Sequence, residues 1–325
     1  MRAGVTPCGA AMWWWLGDWE VVVRIGVLLT ERGGAEALGK LADDVRRAAD
    51  DGFPSAWISQ IFGLDAPTAL ALAGRDVPGI ELGTAVVPTY PRHPAVLAQQ
   101  ARTTSLALQG RFTLGIGLSH KVVIEDMYGY DYARPLRHMD EYLSVLLPLL
   151  AGENASFKGE TLQGNIGLSV PNEGRVPVLL AALGPKMLQL AGERADGTVL
   201  WMTGPVTIRE HIAPTITAAA EAAGRPEPRV VCALPVCVTD DAEHAREQAG
   251  TMFELYGGLP SYRAMMDREG VDGPADLAIV GDEDTVAAKL EELSGAGVTD
   301  FVAAEYMSGE DRGRTRKFLK TVMAR

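Results

Sequence analysis

His120 follows the run Leu114-Gly115-Ile116-Gly117-Leu118-Ser119, an apolar stretch ending in a short polar turn. An imidazole with an unperturbed pKa of ~6.5 donates or accepts a proton near neutrality. A histidine in that place is therefore a candidate acid–base group. A second stretch, Trp57-Ile58-Ser59-Gln60, ends in two neutral polar side chains. Ser59 and Gln60 can hydrogen-bond the edge of a heterocycle, but they are poor general bases. A third, Ala181-Ala182-Leu183-Gly184-Pro185-Lys186, sets a Gly-Pro pair before a helical pattern. Proline suits the first helical position, and the unpaired N–H groups and positive dipole end of such a helix suit an anion. By residue type alone, the three sets could move a proton, hydrogen-bond a polar partner and receive a negative group.

Other chemistries lack their residues. There is no HExxH pair and no Cys/His cluster, and the five histidines are scattered, so no metal site is expected. No GxSxG elbow and no P-loop occur. The GIG of Gly115–Gly117 lacks the third glycine and the downstream acid of a dinucleotide fingerprint. None of the expected strands ends in a lysine that could form a Schiff base. Glu125 and Asp126 read as solvated loop charges, and Asp282, Glu283 and Asp284 as the acidic start of a helix.

These residues need strands to aim them. Apolar runs at 21–29, 55–59, 80–87, 112–117, 176–182, 198–201, 229–238 and 300–305 read as eight strands. Helical patterns at 35–51, 65–74, 94–109, 135–150, from Pro185, and at 207–223, 240–256, 285–294 and 312–323 fall between and after them. Asp65 is placed to cap the second of these, with Pro67 in its first turn. Eight strand–helix repeats predict an α/β fold, a (β/α)8 TIM barrel with insertions after strands four and seven. A doubly wound open sheet is the alternative. The insertion after strand four holds a possible hairpin at 156–170. In such barrels the chemistry lies on loops at the C-terminal strand ends, where Gly117-Leu118-Ser119-His120 would sit.

The bulk numbers agree. With 325 residues, 47% of them hydrophobic and 22% charged, the chain can bury a large core. A net charge of −12 argues against nucleic acid or an anionic membrane as partner. Cys8, Cys232 and Cys237 cannot all pair. The last two stand five apart on one expected strand, hence on opposite faces, which points to buried free thiols and a cytoplasmic setting. Residues 1–20, with four of the six tryptophans, read as an extension outside a single domain spanning 21–325, with a membrane-interface anchor as the alternative.

Two runs, GTAVVPTYPRHP (83–94) and LGPKMLQLAGERADG (183–197), resemble the luciferase-like monooxygenase superfamily, especially its branch that uses the deazaflavin coenzyme F420. The resemblance implies a redox enzyme, a dimer formed through barrel helices, and a small-molecule substrate. It implies that Thr84, Ala85 and Val86 form a bulge backing the cofactor ring, with a cis peptide between Ala85 and Val86. It places Gly117, Leu118 and Ser119 beside that ring. Ala181, Ala182, Leu183, Gly184 and Pro185 would hold the ribityl-phosphate end, and His120 would stand where F420-dependent sugar-phosphate dehydrogenases carry an acidic proton donor. Arg92 and His93 are expected to position the next helix. Many relatives carry Asp or His where Ser59 and Gln60 stand, so alcohol oxidation of the sugar-phosphate type is in doubt. Gln60 remains a candidate for orienting ring or substrate. The residues at 118–134 and 257–274 are expected to shape the substrate pocket. An FMN-dependent monooxygenase on the same barrel, or a non-catalytic (deaza)flavin-binding protein, are the alternatives.

Overall fold

A computed structural model describes residues 23–30, 33–171 and 174–324. Its centre is a closed ring of parallel strands: β1 (Arg24–Leu28), β2 (Ser55–Ile58), β3 (Glu81–Thr84), β4 (Phe112–Gly117), β5 (Val178–Leu180), β6 (Gly197–Trp201), β7 (Arg229–Val238) and β8 (Asp300–Glu305). Each strand pairs with the next in chain order, and β8 returns to β1 with Arg24 opposite Asp300 and Val27 opposite Ala303. The expected (β/α)8 barrel is therefore present.

Both expected insertions are present. The one after β4 carries the helix Pro135–Leu150 and an antiparallel hairpin pairing Ala155–Lys158 with Gln163–Ile166. The one after β7 carries the helices Ala242–Gly257 and Pro260–Glu269. The strand expected at 80–87 is broken: β3 stops at Thr84 and a two-residue strand, Val87–Pro88, pairs separately with Ile116 and Gly117 of β4. The helix expected at 207–223 contains a π turn at Ile208–Ile212. Cys232 and Cys237 are buried and free, as expected, in two different apolar clusters on either face of β7. The proposed extension at 1–20, with Cys8, lies outside the described residues.

The barrel interior holds its own small core. Trp57, Leu179, Val199, Val231, Ala233 and Val302 cluster apart from the larger core between strands and helices. They follow from the period of two along each strand. Trp57 is the largest, fully buried, with its indole N–H donating to Ser55 Oγ at 3.0 Å. It fits because neighbours are glycines. A Cβ at Gly83 would strike the Trp57 ring, and one at Gly26 would strike Ser55 Oγ.

Below Trp57, at the N-terminal end, the barrel is closed by charge. Glu81 accepts from Thr113 Oγ1 (2.6 Å), Arg229 Nη1 (2.8 Å) and Arg24 Nη2 (3.0 Å). Asp300 accepts from Arg229 Nη2 (2.7 Å), Thr299 Oγ1 (2.7 Å) and Arg24 Nη1 (2.9 Å). Burial pushes the Glu81 carboxyl up, but the hydrogen bonds and charge of Arg229 outweigh it and hold it below its usual range.

Candidate active site

The C-terminal end of the barrel is built from small residues. Thr84 ends β3 with its hydroxyl tied to β4 in both senses: Oγ1 donates to Gly115 O at 2.8 Å and accepts from Gly115 N at 2.9 Å. The Ala85 amide donates to Ile58 O of β2 at 2.7 Å. The Ala85–Val86 peptide is cis, at the position the resemblance implied. The Thr89 amide then donates to Gly117 O at 2.9 Å, which lays the segment along the end of β4. A Cβ added to Gly117 would stand 2.7 Å from Val86 Cγ2 and 3.1 Å from Ala181 Cβ. Val86, Gly117 and Ala181 are thus brought together as one low apolar floor, with Ala85 beside it.

Next to this floor the chain turns into a helix. Ala182 is buried, while Leu183 is half-buried and its carbonyl accepts from His211 Nε2 at 2.8 Å. Gly184 is the N-cap, extended at φ −80° and ψ 151°, and Pro185 opens the helix Pro185–Arg194. No side chain caps this helix, and Gly184, Pro185 and Lys186 are exposed. Pro185 has no N–H and the Met187 amide turns back to Gly184 O at 3.1 Å, so the Gly184 and Lys186 amides and the Lys186 ammonium are the donors an anionic group would meet here.

His120 stands on the loop after β4. Leu118, Ser119 and His120 are half-buried, and Ser119 has a left-handed φ of 61°. The Tyr132 hydroxyl donates to the Ser119 carbonyl at 3.3 Å, and the His120 carbonyl accepts from the amides of Val123 (2.9 Å) and Ile124 (3.0 Å). The loop is therefore ordered by a π turn at Val123–Met127 that the sequence pattern did not reveal. Burial pushes the His120 imidazole below its ordinary pKa of 6.5, so it is neutral at pH 7.

The remaining expected site residues divide. Ser59 is exposed at the end of β2. Gln60 uses its carbonyl oxygen to accept from the Ala66 amide at 3.0 Å, so that oxygen braces the next helix and its amide NH₂ is what remains for a ligand. His93 positions the following helix, as expected, while Arg92 reaches back to the helix before it. His93 Nδ1 accepts from the Ala95 amide at 3.2 Å, which assigns the proton to Nε2, a donor to Gln163 O at 2.9 Å. Arg92 pairs with Asp65, itself the N-cap that accepts from Thr68 N at 3.1 Å. Glu125 accepts from the Tyr132 amide at 3.3 Å and pairs with Lys121 at 3.6 Å.

Two features escaped the sequence. The first is a stack beside the floor strand, where Tyr90 lies on His138 with ring centres 3.9 Å apart and His138 Nε2 meets Thr89 Oγ1 at 3.0 Å. The second is a wall of rings. His120 and Tyr262 lie 5.8 Å apart, Tyr262 and Tyr256 5.2 Å, and Tyr256 and Trp201 5.8 Å. Tyr262 comes from the helix Pro260–Glu269, whose Pro at the start and Gly270 in left-handed geometry at the end (φ 78°) were visible signals.

Against known proteins, a family model for luciferase-like monooxygenase matches residues 22–300. A 5,10-methylenetetrahydromethanopterin reductase from Methanolobus tindarius is 27% identical over 295 residues, 81% of this chain and 89% of that protein. Among solved structures, the coenzyme F420 dependent tetrahydromethanopterin reductase of Methanopyrus kandleri superposes with a TM-score of 0.78 at 24% identity, over 92% of this chain and 97% of the other. The oxygenating constituent of 3,6-diketocamphane monooxygenase from Pseudomonas putida, in complex with FMN, superposes with a TM-score of 0.72 at 18% identity, over 93% and 97%.

Proposed function

The chain belongs to the luciferase-like monooxygenase family of oxidoreductases, and from that premise we propose that it moves a hydride between a deazaflavin of the F420 type and a small organic substrate. The observation that carries the reading is the low floor of Val86, Gly117 and Ala181 beside an uncapped helix start. A flat ring needs a wall without projecting side chains, and an anionic tail needs amide donors nearby. The residues present fit such a group. Thr84, Ala85, Val86, Gly117, Leu118 and Ser119 would back the ring, and Ala181, Ala182, Leu183, Gly184 and Pro185 would hold its tail. When bound, the deazaflavin supplies a ring carbon, C5, that gives or takes hydride, and it lacks the N5 of a flavin.

His120 handles the proton. Neutral at pH 7, it accepts a proton from a substrate hydroxyl or amine as hydride leaves, and returns it in the reverse direction. Ser59 and the free amide of Gln60 orient the ring or substrate without competing for that proton. Proton transfer thus rests on one group, in place of the acid of the sugar-phosphate dehydrogenases.

The FMN-dependent reading is second. It rests on the shared fold with an FMN-bound monooxygenase at 18% identity, whereas the methanopterin reductase aligns at 27% over most of both chains. We also propose that the chain pairs with a second copy through the helices Ala66–Gly74 and Pro94–Ala107, where Leu72 and Val96 are exposed apolar side chains. Buried free Cys232 and Cys237 suit a reducing compartment such as the cytoplasm. The reaction is tested by mixing cofactor-loaded protein with alcohols, and reduced loaded protein with enones or imines, without oxygen. The deazaflavin absorbance should fall in the first case or return in the second. No change with any substrate class, despite bound cofactor, contradicts the reading.

A further inference from the structure

Resting on the hydride-transfer reading above, we infer that the substrate is an uncharged molecule bearing a flat ring, chosen by the aromatic wall of Trp201, Tyr256 and Tyr262 beside His120. The wall is continuous. Beyond Trp201 it passes to Phe253, 5.5 Å away, and then to Tyr306 at 6.0 Å. Successive rings meet at 55° to 89°, so edges and faces alternate. A flat ring entering beside them finds an edge or a face to pack on, the arrangement aromatic pairs prefer.

The wall is held in place before any ligand arrives. Glu269, at the end of the Tyr262 helix, accepts from the amides of Val206 (3.1 Å) and Thr207 (2.8 Å), in the short helical turn Pro205–Thr207 that follows Trp201. Thr207 Oγ1 donates to Met265 O at 3.2 Å. A Cβ at Gly204 would strike the Glu269 carboxylate, so the helix and loop approach as closely as a glycine permits. The Tyr306 hydroxyl donates to Ala245 O at 2.7 Å, fixing the far end. Rings ordered in advance lose little entropy on binding.

The charge around the wall favours a neutral ligand. Arg263 is held by Asp267 (2.8 Å) and by the carbonyls of Asp272 (2.6 Å) and Val271 (2.7 Å). Lys121 pairs with Glu125 at 3.6 Å. A phosphorylated substrate would have to break these pairs. Burial holds the phenols of Tyr256 and Tyr262 in their neutral, donating form, and the His120 imidazole is neutral as well.

The test uses the full chain loaded with cofactor. Binding of trans-4-phenylbut-3-en-2-one is compared with that of pent-3-en-2-one, which keeps the enone and replaces the ring by methyl, and with glucose 6-phosphate. The phenyl enone should bind at least about tenfold tighter than the methyl enone, the scale of ring contacts added to buried area. Glucose 6-phosphate should bind more weakly than either. In Tyr262→Leu, and separately in Tyr256→Leu, the ring preference should fall to about twofold, as expected for loss of one edge-to-face partner, while the cofactor dissociation constant holds. Equal binding of the two enones, tighter binding of the sugar phosphate, or a preference that survives both substitutions overturns the inference while leaving the functional reading intact. Failure of the wild-type chain to bind cofactor defeats that reading and the inference with it.

Discussion

The two ends of the barrel solve opposite problems with the same eight strands. At the N-terminal end, Arg229 bridges half-buried Glu81 and buried Asp300, and Arg24 binds both again, so each carboxylate has at least three donors. At the C-terminal end the inward positions include the small residues Ala85, Gly117, Ala181 and Ala233 beside Val86, and the one titrating group on the expected proton path, His120, is neutral. One end is saturated with interactions, while the other leaves a floor, uncapped amides and rings. Stability concentrated at one end permits the other to be shaped for ligands, the division seen generally in such barrels.

The sharpest way to break this comparison is Arg229→Met. It removes one of the two arginines that Glu81 and Asp300 share, the one closest to buried Asp300, and should cost ~3–5 kcal/mol of folding stability. Chemical denaturation reads this directly. A loss under 1 kcal/mol would show that the charged end is not what stabilises the barrel. Next comes His120→Ala at the other end. Turnover should fall about 100-fold or more, the scale of a lost acid–base group, with stability unchanged within ~0.5 kcal/mol. A large stability loss with intact turnover would reverse the roles assigned to the two ends.

A smaller effect separates the ends by pH. His138, beside the floor strand, is pushed down to about 4 by burial, with Glu141 pulling weakly the other way. Its unfolded form gains a proton below 6.5, so the stability it protects is complete above that value and is lost as pH falls toward about 4. Glu141 is opposed by burial but held at about 2 by the Thr161 hydroxyl and the amides of Glu160, Thr161 and Leu162. Its contribution is complete above 4.5 and lost as pH falls toward about 2. Glu81, also held below 4.5, follows the same sign. Hydrogen exchange at pH 5.5 should therefore loosen the helix Pro135–Leu150 and its hairpin before β3 and β4. Simultaneous loosening would remove the distinction.

Much of this was legible in the chain. β4, β7, β8 and the helix Pro135–Leu150 fall where their runs place them, because FTLGIG, RVVCALPVCV and DFVAAE are continuous apolar stretches with polar or glycine ends. The break after Thr84 was not, since AVV continues the run without a polar or glycine stop and only the family resemblance located it. The helix Pro260–Glu269 was missed because it buries little beyond Met265 and Met266, too weak an apolar stripe to read. The charged end could not be read locally, because Arg229 lies 148 residues from Glu81 and 71 from Asp300. Nor could the role of Gly83, since nothing in its neighbours announces that Trp57 will fill the space above it.

If the small-residue floor and the uncapped helix start hold a deazaflavin, the chain takes up F420 in preference to FMN. Titrating the purified chain with F420, and separately with FMN, while following tryptophan fluorescence tests it most directly. F420 should bind saturably and at least about tenfold tighter than FMN, a gap of ~1.4 kcal/mol. Tighter FMN binding would transfer the chain to the oxygen-using side of the family, and no binding of either would contradict the site itself.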